Sequence, residues 1–161
     1  MTASLLFNYG RKGCGKTTSM LLFEHYYRKC GYNPLIIKHI SDRQEEDSNG
    51  FGHFYSEIVP NKHQALFVEK ISEQHLNNID FNMLLVDDVH KFTPQDMHEL
   101  LKISKNRNIQ VACFGLEKDD NGKPYPASQE LMKLTHDVYA SRMTKDKVYE
   151  TIWFKQIKKK H

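Results

Sequence analysis

The stretch GRKGCGKT, from Gly10 to Thr17, decides the fold of this chain. It fits the pattern G-x-x-x-x-G-K-[ST] at every fixed position, and chance matches are rare in a chain of this length. An apolar run, SLLFNY at residues 4–9, precedes it, and a segment with helical spacing from Lys16 to Lys29 follows it. A strand, a glycine loop and a helix in this order indicate a phosphate-binding P-loop, and the alternative is a glycine-rich surface turn.

Phosphate binding has a physical basis in the composition of this loop. Glycines let the backbone wrap closely around a polyphosphate with its N–H groups pointing inward, and the start of a helix adds positive potential. In this pattern the lysine, here Lys16, reaches the β- and γ-phosphates, and the hydroxyl of Thr17 binds Mg²⁺. The residues predicted to hold the nucleotide are Gly10, Gly13, Cys14, Gly15, Lys16, Thr17 and Thr18.

Short apolar runs alternate with longer amphipathic segments along the rest of the chain. The further predicted strands are Pro34–Lys38, Phe81–Val86, Ile109–Gly115 and Val148–Phe154. The predicted helices are Lys16–Lys29, ending at Gly31, a helix from Thr93 and Pro94 to about Lys105, and Ser128–Leu134. The spacing from Asn61 to Asn77 is roughly helical, whereas His39 to Gly52 is predicted as a polar, glycine-punctuated loop and Glu117 to Pro126 as a second polar loop.

This alternation predicts an α/β fold, a P-loop NTPase-like three-layer sandwich with helices on both faces of a mostly parallel central sheet. The 161 residues suffice for one domain, with a basic C-terminal tail at residues 155–161. With 39% hydrophobic and 27% charged residues, collagen-like, membrane-spanning and wholly disordered classes are excluded.

Charge and cysteine content limit the partners and the compartment. A net charge of +3, part of it in the C-terminal tail, does not require nucleic acid as a partner. The three cysteines form no C-x-x-C pair, which argues against a disulfide framework or a zinc knuckle and for a reducing compartment. No apolar run is long enough to cross a membrane, so we expect a soluble, cytoplasmic protein.

Two carboxylates follow the predicted strand Phe81–Val86. A P-loop needs a second contact to the metal, and in this class an acid at the end of a later hydrophobic strand supplies it. We expect Asp87 to assist Mg²⁺ and Asp88, which points in a different direction, to face an acceptor substrate as a general base. The alternative is that Asp88 only caps a loop or the start of a helix.

Four segments resemble the type II thymidine kinase family in their order and spacing. They are the glycine loop with its helix, KHISDR at Lys38–Arg43 with His53 further on, LLVDDVHKF at Leu84–Phe92, and CFGLEKDDNGKPY at Cys113–Tyr125. The last segment is the most specific. It follows the family pattern Y-G-L-D-x-D-F-x-G-x-P-F at Gly115, Leu116, Asp119, Gly122, Pro124 and Tyr125.

The resemblance implies transfer of the γ-phosphoryl group of ATP, with Mg²⁺, to the 5′-hydroxyl of thymidine or a related deoxynucleoside. Asp88 falls at the position of the family's glutamate base and is one methylene shorter. The implied site residues are Lys16 and Asp88 for catalysis, Thr17 and Asp87 for the metal, and Phe92, Leu116 and Tyr125 for the nucleoside. The resemblance also implies a homo-oligomer, a dimer or a tetramer.

Three apolar positions of the family carry charges here, at Lys12, Lys91 and Asp120. A charge buried against a pyrimidine without a partner is costly. The family's four zinc-ribbon cysteines and its lasso loop have no counterpart after Leu134, so no zinc is expected. These departures favour a second hypothesis, a P-loop ATPase or nucleotide-binding protein with an altered acceptor pocket, and a third is a non-catalytic interaction module.

Overall fold

The computed structural model describes residues 3–11, 16–43, 45–56, 61–135, 137–143 and 149–152. The strands are β1 (Ser4–Gly10), β2 (Pro34–His39), β3 (Glu45–Ser48), β4 (Phe51–Tyr55), β5 (Lys62–Val68), β6 (Met83–Val86), β7 (Gln110–Leu116), β8 (Asp137–Met143) and β9 (Tyr149–Ile152). The α-helices are α1 (Lys16–Lys29), α2 (Pro94–Arg107) and α3 (Pro126–Leu134). Short 3-10 helices span Ile40–Asp42, Glu73–Leu76 and Val89–Lys91.

These strands belong to one sheet with the order β3-β4-β5-β2-β6-β7-β1-β8-β9. The central strands, from β5 to β8 in that order, pair in parallel, whereas β3, β4 and β9 extend the edges in antiparallel fashion. Parallel neighbours need crossover connections, and α1, α2 and α3 connect β1 to β2, β6 to β7 and β7 to β8. The predicted α/β fold with a mostly parallel sheet is confirmed.

Helices pack on both faces of the sheet, as predicted. On one face an apolar cluster joins α1 to the strands through Met20, Leu21, Leu6 and Ile36. On the other face a second cluster joins α2 and α3 to the strands through Met97, Leu100, Leu131 and Leu5. Strand β6, with the sequence MLLV, is buried along its whole length, as expected for a central parallel strand.

Local sequence signals set the ends of the first two helices. Gly31, with a φ of +92°, follows the end of α1 in a conformation that disfavours other residues. The hydroxyl of Thr93 accepts a hydrogen bond from the Asp96 N–H at 3.3 Å, while the Asp96 carboxylate accepts one from the Thr93 N–H at 2.9 Å. Asp96 also accepts the Ile71 N–H at 2.9 Å, so this cap ties α2 to the segment after β5.

The prediction of a loop from His39 to Gly52 is wrong. The segment contains the 3-10 helix Ile40–Asp42 and the start of a β3–β4 hairpin. Asn49 and Gly50 form the turn with φ values of +53° and +83°, both positive as in a two-residue type I′ turn. Asn-Gly between two strands is a strong hairpin signal, whereas the polar composition EEDS of β3 is typical of a loop.

The helical spacing predicted between Asn61 and Asn77 is also wrong. Strand β5 forms the first half, and the 3-10 helix Glu73–Leu76 lies in the second. Ala65, Leu66 and Phe67 are buried in succession, and they join clusters on opposite faces of the sheet. A continuous apolar run buried on two faces suits a parallel strand better than an amphipathic helix.

The final part of the sheet was predicted only in part. Strand β8 was not predicted, and the predicted strand Val148–Phe154 agrees with β9 over Tyr149–Ile152. The remainder of that segment and the basic tail, residues 155–161, lie outside the described residues. Within the described ranges, none of the helices has the length and apolar character needed to cross a membrane.

Candidate active site

The first part of the site lies where β1 ends and α1 begins. Lys16, the first residue of α1, is buried, and its ammonium donates a hydrogen bond to the carbonyl oxygen of Arg11 at 3.2 Å. Gly10 is the last residue of β1, and Thr18 is buried in the first turn of α1. Of the loop residues, Lys12, Gly13, Cys14 and Gly15 lie outside the described residues. Their predicted contacts with phosphate stay predictions.

Thr17 and Asp87 meet although 70 residues separate them. The Thr17 hydroxyl lies 3.4 Å and 3.3 Å from the two carboxylate oxygens of Asp87 and donates to them. Asp87 directly follows β6 and is only 1% exposed, and its N–H donates to the carbonyl oxygen of Ile37 at 3.0 Å. The sheet order places the ends of β1 and β6 at the same edge, separated by β7.

The oxygens of Thr17 and Asp87 fit Mg²⁺, a hard cation that takes oxygen ligands. Within the described part of the chain, no group of three or more His, Cys, Asp or Glu side chains is arranged to hold a metal ion. Proteins commonly bind Mg²⁺ through one or two protein oxygens, with substrate phosphates and water completing the shell. A cation at this point would therefore depend on a bound polyphosphate.

Lys38, at the end of β2, is a buried cation that was given no role by the sequence motifs. Its ammonium donates to the Asp87 carboxylate at 2.6 Å, lies 4.0 Å from a carboxylate oxygen of Asp88, and stands 4.7 Å above the Phe54 ring centre. Burial lowers the pKa of Lys38, but the adjacent Asp87 and Asp88 carboxylates more than offset this and raise it overall. Lys38 is therefore charged and neutralises part of the acidic pair.

Asp88 has an unusual backbone conformation and a shifted pKa. Its φ and ψ of 49° and 46° lie in the left-handed region, and its side chain makes no capping hydrogen bond to the 3-10 helix that follows. Burial and the neighbouring Asp87 raise the pKa of Asp88 to about 6, although the ammonium groups of Lys38 and Lys91 oppose the shift. This geometry does not support the alternative that Asp88 is only a cap.

Lys91 has carboxylate partners. Its ammonium forms an ion pair with Asp42 and lies 3.8 Å from a carboxylate oxygen of Asp88. The cost expected for an unpartnered charge at this position therefore does not arise. Asp120 is exposed in the loop after β7, and the neighbouring Asp119 accepts the N–H groups of Asn121 and Lys123, both at 2.9 Å.

His90 connects the acid-bearing segment to β7 and to the following loop. Its Nδ1 accepts the N–H of Leu116 at 3.0 Å, and its ring centre lies 4.8 Å from that of Tyr125. Burial and the positive charges of Lys91 and Lys16 lower the pKa of His90 to about 4. His90 is therefore neutral, and because Nδ1 is an acceptor, Nε2 carries the proton.

The structure thus brings Leu116 and Tyr125 together around His90. Phe92 is 6% exposed and packs in the apolar core, with its ring centre 5.1 Å from that of His39. Their predicted contacts with a nucleoside stay predictions. Leu116 is the last residue of β7, Tyr125 lies in the loop after β7, and Phe92 lies after β6.

Sequence reasoning missed Lys38, Asp42 and His90 as members of the site. A lysine at the end of the apolar run PLIIK was one signal, since lysine is almost never fully buried without a partner. Two other contacts had no comparable signal, because they join segments that are distant in sequence. Asp42 pairs with Lys91 across 49 residues, and His90 contacts Leu116 across 26 residues.

The sequence of the chain is similar to those of known proteins. The family model described as thymidine kinase matches residues 3–156. The chain is similar to the thymidine kinase of Chromobacterium violaceum, with 29% identity over 84% of this chain and 72% of the relative. It is 30% identical to that of Shewanella oneidensis (81% and 68%) and 25% identical to that of Enterobacteria phage T4 (82% and 69%). The chain therefore belongs to the thymidine kinase family.

Proposed function

We propose that this chain is an ATP-dependent thymidine (deoxynucleoside) kinase, which transfers the γ-phosphoryl group of ATP to the 5′-hydroxyl of a nucleoside. Membership of the thymidine kinase family supports this function directly. The structural observation that carries the proposal is the contact of Thr17 with Asp87 at 3.3–3.4 Å, with Asp88 as the next residue. It joins the start of the phosphate-binding helix to a pair of acids.

The proposal gives separate tasks to Lys16, to Thr17 with Asp87, and to Lys38. Lys16 lies at the N-terminus of α1 and stabilises negative charge on the transferred phosphoryl group. Thr17 and Asp87 would hold Mg²⁺, which would supply charge neutralisation at the phosphate oxygens. Lys38 holds the Asp87 carboxylate in place through its 2.6 Å hydrogen bond.

Asp88 acts as the base in this mechanism. Its carboxylate accepts the proton of the 5′-hydroxyl as the hydroxyl oxygen forms a bond to the γ-phosphorus. The bond from that phosphorus to the oxygen bridging the β- and γ-phosphates breaks, and ADP leaves with the electron pair. Phosphoryl transfer needs mainly positioning and charge stabilisation, and the proposal assigns this work to the residues named above.

The nucleoside pocket in the proposal lies beside the 3-10 helix Val89–Lys91. Leu116, Tyr125 and Phe92 lie on the segments around this helix and would contact the base or the sugar. The charge at Lys91 is paired with Asp42 and does not prevent an uncharged base from binding nearby. This pairing answers the argument from Lys91, which is one of the three charged positions that favour an altered pocket.

The test is product formation by the purified chain. With ATP and Mg²⁺, each of the four deoxynucleosides is supplied in turn, and the 5′-monophosphate and ADP are measured by chromatography. The proposal predicts thymidine monophosphate and ADP in equal amounts. ADP without any monophosphate would instead support a P-loop ATPase, and neither product together with absent nucleotide binding would support a non-catalytic module.

Two further expectations belong to this proposal. The family resemblance suggests that the chain forms a homo-oligomer, and its cysteine usage suggests a cytoplasmic location. Sedimentation equilibrium would measure the mass of the particle against 18.9 kDa for one chain. A particle of that mass at the concentrations used for catalysis would contradict the oligomer.

A further inference from the structure

The side chain of Lys91 joins two 3-10 helices of the site. The first, Ile40–Asp42, follows β2, and the second, Val89–Lys91, follows Asp88. The Lys91 ammonium at the end of the second pairs with the Asp42 carboxylate at the end of the first. The same ammonium lies 3.8 Å from the Asp88 carboxylate, so Lys91 lies between two acids that are 46 residues apart in sequence (88 − 42).

The second 3-10 helix is tightly held on its opposite side. A Cβ placed on Gly115 would lie 2.9 Å from Val89 Cγ1 and 3.1 Å from His90 Nδ1, so β7 packs directly against the helix. The Leu116 N–H also donates to His90. These contacts fix Val89 and His90 to β7, whereas Lys91 makes the ion pair to the β2 side. The segment that carries Asp88 is thus held between β7 and the 3-10 helix Ile40–Asp42.

The charges around Lys91 also favour a fixed geometry. Asp42, Asp87 and Asp88 supply three carboxylates, and Lys38 and Lys91 are the ammonium groups in contact with them. The Asp42 oxygen that does not contact Lys91 is buried and has no hydrogen-bond partner among the described residues. The loss of Lys91 would leave Asp42 without its cation and Asp88 with one nearby ammonium, so both carboxylates would be free to reorient.

We propose that Lys91 is a positioning residue of this site, whose ammonium ties Asp42 to Asp88 and so fixes the orientation in which Asp88 meets the acceptor hydroxyl. The inference rests on the proposed function, since it concerns the base of that reaction. The competing view is a solvated surface ion pair, because exposed pairs contribute little. Against it, the Asp42 and Asp88 side chains are only 19% and 26% exposed, and Lys91 contacts both.

The kinetic test compares Lys91→Met, Lys91→Arg and Asp42→Asn with the wild type. Misplacing a catalytic group slightly can cost about 100-fold in rate, so we expect Lys91→Met to lower kcat by about 10- to 100-fold. The KM for ATP should stay within about threefold, because Lys91 has no contact with Lys16 or Thr17 in the described structure. Lys91→Arg should restore most of the lost kcat, since it retains the cation.

A matched control is Lys105→Met on the exposed surface of α2, which removes the same charge away from the site and should leave kcat unchanged. The double variant Lys91→Met/Asp42→Asn should lose little more kcat than either single variant, because both changes break one contact. The proposal is overturned if Lys91→Met keeps the wild-type kcat, or if its only change is a higher KM for ATP. It is also overturned if Lys91→Arg has a kcat no higher than that of Lys91→Met.

Unfolding measurements separate failure of this inference from failure of the proposed function. The urea midpoint of unfolding is measured for Lys91→Met, for Asp42→Asn and for the double variant Lys91→Met/Asp42→Asn. Non-additive midpoint shifts support the Lys91–Asp42 contact, whereas additive shifts overturn it, whether or not the chain is active. A wild-type chain that forms no monophosphate overturns the proposed function, and the Lys91 contact is then judged on the unfolding result alone.

Discussion

The ammonium of Lys38 lies in a place where an unpaired charge would be costly. Its side chain is 8% exposed, and that of Asp87, its partner at 2.6 Å, is 1% exposed. Such a pair adds little net stability over apolar residues, but the removal of one partner leaves a buried charge uncompensated. Lys38 is thus the cation that compensates the buried Asp87 carboxylate at this position.

Lys38→Met tests the buried pair. We expect the free energy of unfolding to fall by about 3–5 kcal/mol, because the substitution removes the ion-pair partner of a buried carboxylate. Urea denaturation at neutral pH without Mg²⁺ measures the change, with Lys105→Met as the surface control. Lys38→Met/Asp87→Asn should recover part of the loss, since the uncompensated charge is gone. A change below about 1 kcal/mol in Lys38→Met would show that the pair is solvated.

At the scale of elements, the 3-10 helix that follows Asp88 depends on its contact with β7. Gly115 allows this approach, because a Cβ there would meet Val89 Cγ1 at 2.9 Å and the Val89 backbone nitrogen at 3.1 Å. The requirement is one of space, since Gly115 is not among the residues with positive φ in the described chain. Because Gly115 has no side chain, the segment that carries Asp88 can pack directly against β7.

Gly115→Ala should push this segment away from β7. We expect a loss of about 1–3 kcal/mol in stability from overpacking, and a kcat lowered by about 10-fold as Asp88 moves with the helix. Steady-state kinetics and urea unfolding on the same preparation measure the two effects. If Gly115→Ala is as stable and as active as the wild type, the contact is looser than the 2.9 Å distance indicates.

The sequence predicted the helix α2 and the apolar central strands β1, β2, β6 and β7, but it did not predict the strands β3, β4, β5 and β8. Helix α2 was predicted from Thr93, Pro94 and Asp96, which form a cap within one turn of chain. Strand β5 was predicted as a helix because its apolar residues are buried on both faces, which leaves no alternation to detect. The β3–β4 hairpin depends on two residues, Asn49 and Gly50, inside an otherwise polar stretch.

At the scale of the whole molecule, the sheet order assembles the site. β1, β2 and β6 end at one edge, and this brings Lys16, Thr17, Lys38, Asp87 and Asp88 together. The P-loop motif and the apolar strand before Asp87 predicted that the phosphate-binding residues and the two acids would lie close together. Their ion-pair partners could not be predicted, because contacts between the ends of separate strands depend on register and on the connecting turns.

At this scale, His90 makes one pH-dependent contribution to the stability of the chain, and Asp88, with its pKa raised to about 6, makes one of opposite sign. The pKa of His90 is about 4 in the folded chain and near 6.5 when unperturbed, so protonation favours the unfolded state. This contribution is fully present above pH 6.5 and is lost as the pH falls from about 6.5 toward 4. Because the ring is partly exposed, we expect about 1–2 kcal/mol to be lost between pH 7 and about pH 4.5.

His90→Asn isolates this effect, because the amide oxygen can still accept the Leu116 N–H and does not titrate in this range. Urea unfolding of both proteins at several pH values measures the difference in stability. The wild type should lose stability relative to the variant as the pH falls below 6.5. A constant difference over the whole range would mean that His90 is as solvated in the folded chain as in the unfolded one.

The central claim is that Asp88 accepts the proton of an acceptor hydroxyl next to a nucleotide held by Lys16 and Thr17. The most direct test is a single-turnover reaction with γ-labelled ATP, Mg²⁺ and thymidine, for the wild type and Asp88→Ala, with the Kd for ATP measured by calorimetry on both. We predict that the wild type transfers the label to thymidine, and that Asp88→Ala binds ATP with a similar Kd but transfers none. Transfer by Asp88→Ala at the wild-type rate, or no transfer by the wild type, would contradict the account.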